Sequence, residues 1–116
     1  MNIVEKSEEF ALACIALYQS LQKEWEYILS KQILRSGTSI GANVAEANSS
    51  QSKKDFFAKM CIAYKEANET QYWLKLLEKS SLTQQNVSEI RNDCEEIIRI
   101  IAKIKLTTES NLREWI

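Results

Sequence analysis

The sequence predicts an all-α protein, an antiparallel up-down four-helix bundle in which residues 1–116 form a single domain. Three observations carry this. The chain of 116 residues has no proline and two glycines, Gly37 and Gly41. The many corners of a β fold lack the residues that turn them. Four stretches place apolar residues three and four apart, the period of one helix face. The polar breaks after the second and third stretches are short, which sets successive helices side by side and antiparallel. At 45 % hydrophobic residues the chain has enough for one core.

The first segment, 3–24, carries Phe10, Cys14, Leu17 and Leu21, with Glu5, Glu8 and Glu9 at the end where the helix dipole favours negative charge. The second, 27–48, repeats the stripe with Ile33, Gly37, Ile40 and Val44. Asn48 to Ser52 reads as a polar turn, with Ser52 the N-cap of the third segment and Asp55 three residues on. That segment runs to about Ser80 with Phe56, Met60, Ala63, Ala67, Thr70 and Leu74. After the turn at Ser80–Thr83, with Thr83 as cap, the fourth carries Val87, Ile90, Cys94, Ile97, Ile101 and Ile104. Helices of roughly 20–28 residues are ~30–40 Å long at 1.5 Å per residue.

Charge and composition exclude several functions. Fifteen basic and sixteen acidic residues give a net charge of -1, so no basic excess advertises nucleic acid. Histidine is absent, which removes the commonest general base, the usual metal ligand and every Ser-His or Cys-His nucleophile pair. Glu66 and Glu69 are a carboxylate pair at helical spacing, but no nucleophile, metal partner or phosphate loop accompanies them. Four-helix di-iron sites need Glu-x-x-His motifs, which are missing. No enzyme activity, catalytic residue, metal, cofactor or small-molecule substrate is expected. Cys14, Cys61 and Cys94 are odd in number and far apart, which suits small buried residues in a reducing cytoplasm. The N-terminus shows no secretory h-region and no apolar run spans a bilayer.

The second segment has an unusual back. Opposite its core stripe lie Arg35, Thr38, Ser39, Ala42, Ala45 and Glu46, flanked by Gly41 and Asn43. Six of these eight are small or short, and each mid-helix glycine costs about 1 kcal/mol relative to alanine. Such a surface suits close approach by another backbone. Either this helix is central and surrounded by its own chain, or a second subunit covers it. The second is the expectation here, with Thr38, Ser39, Gly41, Ala42 and Ala45 as the oligomer interface.

Counting from a turn near residues 49–50 pairs positions that sum to about 99. Arg35 then lies beside Tyr64–Glu66, predicting an Arg35–Glu66 ion pair, and Glu46 lies near Lys53 and Lys54. Lys53, Lys54 and Lys59 cluster at the start of the third helix. They are a solvated face or a contact for nucleic-acid phosphates. Trp25, Tyr27, Tyr64, Tyr72 and Trp73 fall beside the apolar stripes and read as core edge or interface. Leu112, Trp115 and Ile116 read as an apolar terminus that docks on a neighbour.

The segments Arg35-Ser36-Gly37-Thr38-Ser39-Ile40-Gly41-Ala42-Asn43-Val44-Ala45-Glu46-Ala47, Ser52–Met60 and Ala63–Leu74 form one collinear block. The block resembles the signature of the four-helix bundle proteins related to the 23S rRNA intervening-sequence protein. The resemblance implies a small bundle assembled as a homo-oligomer, commonly a homopentameric ring. The family's name records a position inside 23S rRNA genes and not an activity. A related branch looks like accessory proteins of diversity-generating retroelements, which bind nucleic acid and a reverse transcriptase through a basic ring surface. This sequence departs from that branch in its acidic balance. The expected function is a non-enzymatic oligomeric scaffold or adaptor with a protein partner. The alternative is a binder of structured RNA, such as rRNA, or a reverse-transcriptase accessory protein.

Overall fold

Each helix begins where a side chain takes up its first free amides. The structure, a computed structural model that describes residues 1–113, holds four helices and, among those residues, no strand. They are α1 (Ile3–Lys23), α2 (Leu29–Asn48), α3 (Lys53–Lys79) and α4 (Ser88–Arg113). The Asn2 side chain accepts from the Glu5 amide at 2.9 Å, and Ser52 Oγ accepts from the Asp55 amide at 3.0 Å. Ser52 is thus the cap that the sequence indicates.

Thr83 is not the cap of the fourth helix. α4 starts at Ser88, behind Asn86, whose Oδ1 accepts from the Ser88 amide at 2.9 Å. The physical reason lies in α1: Thr83 donates its hydroxyl to the Glu24 carboxylate at 2.7 Å, which holds residues 83–85 in a loop.

Consecutive helices pack together and α4 also packs on α1. The backbones of α1 and α3, and of α2 and α4, do not approach one another among the described residues. The four expected stripes meet on the axis. Leu21, Ile33, Ile40, Leu74, Leu77 and Ile101 are fully buried, and each such side chain contributes about 1.5–3 kcal/mol. Phe56, Ile90 and Ile104, expected in the stripes, are only partly buried and pack on the edge of the core. Val87 is buried but precedes α4, anchoring the loop. No helix among the described residues is long and apolar enough to cross a membrane.

Both glycines serve the α1–α2 contact. A Cβ on Gly37 would fall on Sγ of Cys14, and one on Gly41 would stand 3.2 Å from the carbonyl oxygen of Ser7. This corrects the expectation for Gly41. The close approach that its missing side chain permits is made by α1 of the same chain, so a second subunit is not needed to account for it.

Helix α1 ends unusually. The Glu26 amide donates to the Leu21 carbonyl at 3.0 Å and the Trp25 amide to the Gln22 carbonyl at 3.1 Å. These two bonds form a Schellman motif, with Trp25 at the left-handed position, φ 66°. Glycine or asparagine ordinarily occupies that position, because a Cβ is strained there.

Candidate subunit interface and its flanking charge clusters

The outer side of α2 is thinner than its composition alone requires. The Thr38 hydroxyl donates back to the Leu34 carbonyl at 2.7 Å, and Asn43 Nδ2 donates to the Ser39 carbonyl at 2.8 Å. The polar groups are spent on their own helix, and the surface left behind is methyl and backbone. Ala42 and Ala45 are exposed.

The packing sorts the five interface candidates. Gly41 faces Ser7 on the α1 flank, and Ser39 lies on the α3 flank with Ser36, which bonds to Thr70. Thr38, Ala42 and Ala45 remain as the outer strip. Beside it, on α1, two aliphatic side chains turn to solvent: Leu12, 59 % exposed, and Ile15. Together these residues make one outer face across α1 and α2. Between Lys31 and Glu46 the α2 side of this surface carries one charged residue, Arg35, which turns toward α3.

The opposite edge of α2 is bound to α3 by charge. Arg35 reaches Glu66 at 3.5 Å, the pair that the sequence predicts, and shares its guanidinium with Glu69. Trp73 Nε1 donates to the same Glu69 carboxylate at 3.2 Å, and Gln32 Oε1 accepts from Arg35 at 3.4 Å. Beneath them, Thr70 Oγ1 donates to Ser36 Oγ at 2.7 Å in a fully buried bond. One arginine therefore serves two carboxylates. Glu66 Oε2 is left buried without a hydrogen bond.

The register differs from the counted one. Ser36 meets Thr70 and Glu46 meets Lys59 at 3.6 Å, so paired positions sum to 106 and 105. The count from residues 49–50 misses because α3 begins only at Lys53, after the Ser52 cap. Partners on α3 are displaced by more than one helical turn. Among the candidate phosphate contacts, Lys59 is thus paired with Glu46, and Lys53 and Lys54 lie on the exposed first turn of α3. Lys105 lies 4.1 Å over the ring of Tyr64.

Two carboxylates that the sequence did not single out organise one end of the bundle. Glu26 accepts from the amides of Ile28, Leu29 and Ser30 at 3.0, 2.9 and 2.7 Å. It replaces the N-cap that α2 lacks. Burial alone would push its carboxyl up, but the three amides outweigh that and hold it below the usual range. Glu24 accepts from Gln85 Nε2 at 2.5 Å, the Gln84 amide at 3.1 Å and Thr83, and these bonds lower its pKa. At the far end Lys6 and Glu96 pair at 2.7 Å, which raises the lysine and lowers the acid.

Above these loops the aromatics leave the core. Trp25 is 80 % exposed, edge-on to Tyr27, with Ile28 at 76 %. Cys14 and Cys94 are buried, and burial pushes both thiols up to about 12. That matches small core residues and not reactive ones. Leu112 is half-buried, while Trp115 and Ile116 lie outside the described residues.

The profile of the 23S rRNA-intervening sequence protein family matches residues 1–103. The chain belongs to that family. A solved structure of a protein of unknown function from the S23 ribosomal protein family of Bacteroides thetaiotaomicron is similar to this member. The two are 47 % identical, the match covers 90 % of this chain and 98 % of that one, and the TM-score is 0.85. No curated protein matches this intervening-sequence protein. The block that carries the resemblance, Arg35 to Leu74, lies within the matched residues. It includes both glycines against α1, Arg35 on its two glutamates, and the Ser36–Thr70 bond.

Proposed function

We propose that this protein is a non-enzymatic building block that associates with copies of itself through the outer α1–α2 face and serves as a scaffold or adaptor. The observation that carries the reading is the strip of Thr38, Ala42 and Ala45 beside exposed Leu12 and Ile15. A helix face facing only water carries long charged residues. Here the side chains are short and the polar ones are bonded to their own backbone. A 116-residue domain also gains core area by association. The family resemblance makes a homopentameric ring the assembly of choice.

An antiparallel up-down run of the helices belongs to the same reading. Its support is the ladder of partners between α2 and α3, where Arg35 meets Glu69 and Glu46 meets Lys59. The non-enzymatic reading is supported by how the shifted carboxylates are employed. Glu24 and Glu26 tie loops, and Glu96 holds Lys6. Three free thiols suit a reducing cytoplasm.

Binding of structured RNA through Lys53, Lys54 and Lys59 is the competing reading. Lys59 shares its charge with Glu46, and the net charge is -1, both of which weigh against it. Ala42→Arg and Ala45→Arg test the proposal by light scattering with circular dichroism alongside. Retained helicity with a reduced mass supports the interface, and an unchanged native mass in both variants refutes it. Titration with a ribosomal RNA fragment over a salt series separates the readings: a steep salt slope favours RNA, and no binding at low salt removes it.

A further inference from the structure

The α1–α2 and α3–α4 loops meet at one end of the bundle around a hollow of about 500 Å³. Its wall joins two kinds of group. Trp25, Tyr27, Ile28 and Leu82 are exposed there, and the rings of Trp25 and Tyr27 stand at 86° with centroids 6.4 Å apart. Glu24 and Glu26 supply two carboxylates. Among the described residues no lysine or arginine lines the hollow, and neither carboxylate has a cation for a partner. The end therefore sets two unpaired negative charges beside two electron-rich rings.

Both features are fixed by the fold. Glu24 accepts from Thr83, the Gln84 amide and Gln85, and Glu26 from the amides of Ile28, Leu29 and Ser30. These bonds favour the charged form and occupy the oxygens, so the carboxylates act on a ligand through their field. Trp25 offers its ring from the left-handed position of the Schellman motif, where glycine or asparagine would close α1 with less strain. A bulky ring kept in a strained backbone and turned to solvent points to a use outside the fold.

We propose that this hollow binds an arginine side chain from a basic segment of a partner protein, with the guanidinium stacked on the Trp25 indole and the methylene stem along Ile28 and Leu82. The face of an indole attracts a cation, more strongly than any other side-chain ring. A planar guanidinium stacks on such a face and is less tightly hydrated than an ammonium, so it leaves water more readily. The two carboxylates draw a cation toward the ring. They repel phosphates, which sets the hollow against a nucleic-acid strand stacking its bases on Trp25. The proposal gives a chemistry to the partner of the adaptor reading; it rests on that part of the proposed function and not on the side-face assembly.

NMR titration of isotope-labelled protein tests it. The probes are the peptide acetyl-Gly-Arg-Gly-Arg-Gly-amide and its counterpart with neutral citrulline for arginine. The expected result is a saturable shift of the Trp25 indole N–H and of the amides of residues 24–28 and 81–82 with the arginine peptide, and no such shift with citrulline. Trp25→Asn, whose asparagine accepts the left-handed position, should keep its circular dichroism and bind about tenfold more weakly. Equal shifts with both peptides overturn the proposal, as does undiminished binding by a folded Trp25→Asn. Should that variant unfold, the citrulline comparison on the wild-type chain decides alone. Tighter binding of tetramethylammonium than of the peptide overturns a peptide as the occupant, and saturation of the Trp25 signal by oligouridine in place of the peptide overturns a cation. Light scattering keeps the two readings apart. A lone chain that still binds the arginine peptide sinks the side-face assembly and supports the hollow; an intact assembly that ignores the peptide does the reverse.

Discussion

Gly41 of α2 comes so close to Ser7 of α1 that a Cβ would stand 3.2 Å from the serine's carbonyl oxygen. One turn earlier, Gly37 meets Cys14 and Phe10 in the same way. The Gly-x-x-x-Gly spacing is thus a groove for α1, and it sets how deeply Cys14 sits in the core.

Gly37→Ala should destabilise the protein. The new methyl falls on Cys14 Sγ, which is fully buried. Overpacking costs about 1–3 kcal/mol, which exceeds the gain in helix propensity of about 1 kcal/mol. Urea denaturation of Gly37→Ala, Cys14→Ala and the double variant should show the second substitution recovering part of the loss. Strict additivity would contradict the contact.

Arg35→Ala should cost about 1–2 kcal/mol, more than an exposed ion pair is worth, because it strands Glu66 beside Glu69. Glu66→Gln in that background should restore stability. A loss in the double variant equal to the sum of the two single losses would contradict a shared cation.

Acid should loosen both ends of the bundle. Glu24, Glu26 and Glu96 have folded pKa values lowered relative to the unfolded chain. The folded state therefore binds fewer protons, and the stabilisation is complete above about pH 4.3, the unfolded glutamate value. It is lost as pH falls through the lowered folded values. Lys6 is raised, so its contribution holds below about pH 10.4 and disappears as pH rises through the folded value. Melting temperature against pH should fall on the acid side in wild type and less steeply in Glu26→Ala. That variant should lose about 1–2 kcal/mol at neutral pH with its three amide bonds. An unchanged acid limb would contradict the assignment.

Thiol labelling should distinguish the cysteines. Cys61, half-buried, should react first, and Cys14 and Cys94 only as the protein unfolds. Mass spectrometry of partly labelled protein reads this directly. Label on Cys14 in the native state would contradict the core placement.

The four stripes, the Ser52 cap and the Arg35–Glu66 pair were legible because each follows from helical period or local capping chemistry. The α2–α3 register was not, because it depends on where the turn residues sit in space. Gly41 was legible as a close approach, but no periodicity says which backbone approaches. Thr83 was misplaced because its partner, Glu24, lies 59 residues away. The Schellman end of α1 was hidden by Trp25, which occupies the position where a glycine would have marked it. Glu26 left one readable trace: a carboxylate just ahead of a helix that has no Ser, Thr, Asp or Asn at its N-cap.

The central claim is that short side chains on α2, beside Leu12 and Ile15, are covered by a second copy. Sedimentation equilibrium of the wild-type chain tests it most directly. The account predicts a mass that is an integer multiple of 13.4 kDa, five for the ring. A single species of 13.4 kDa would contradict it.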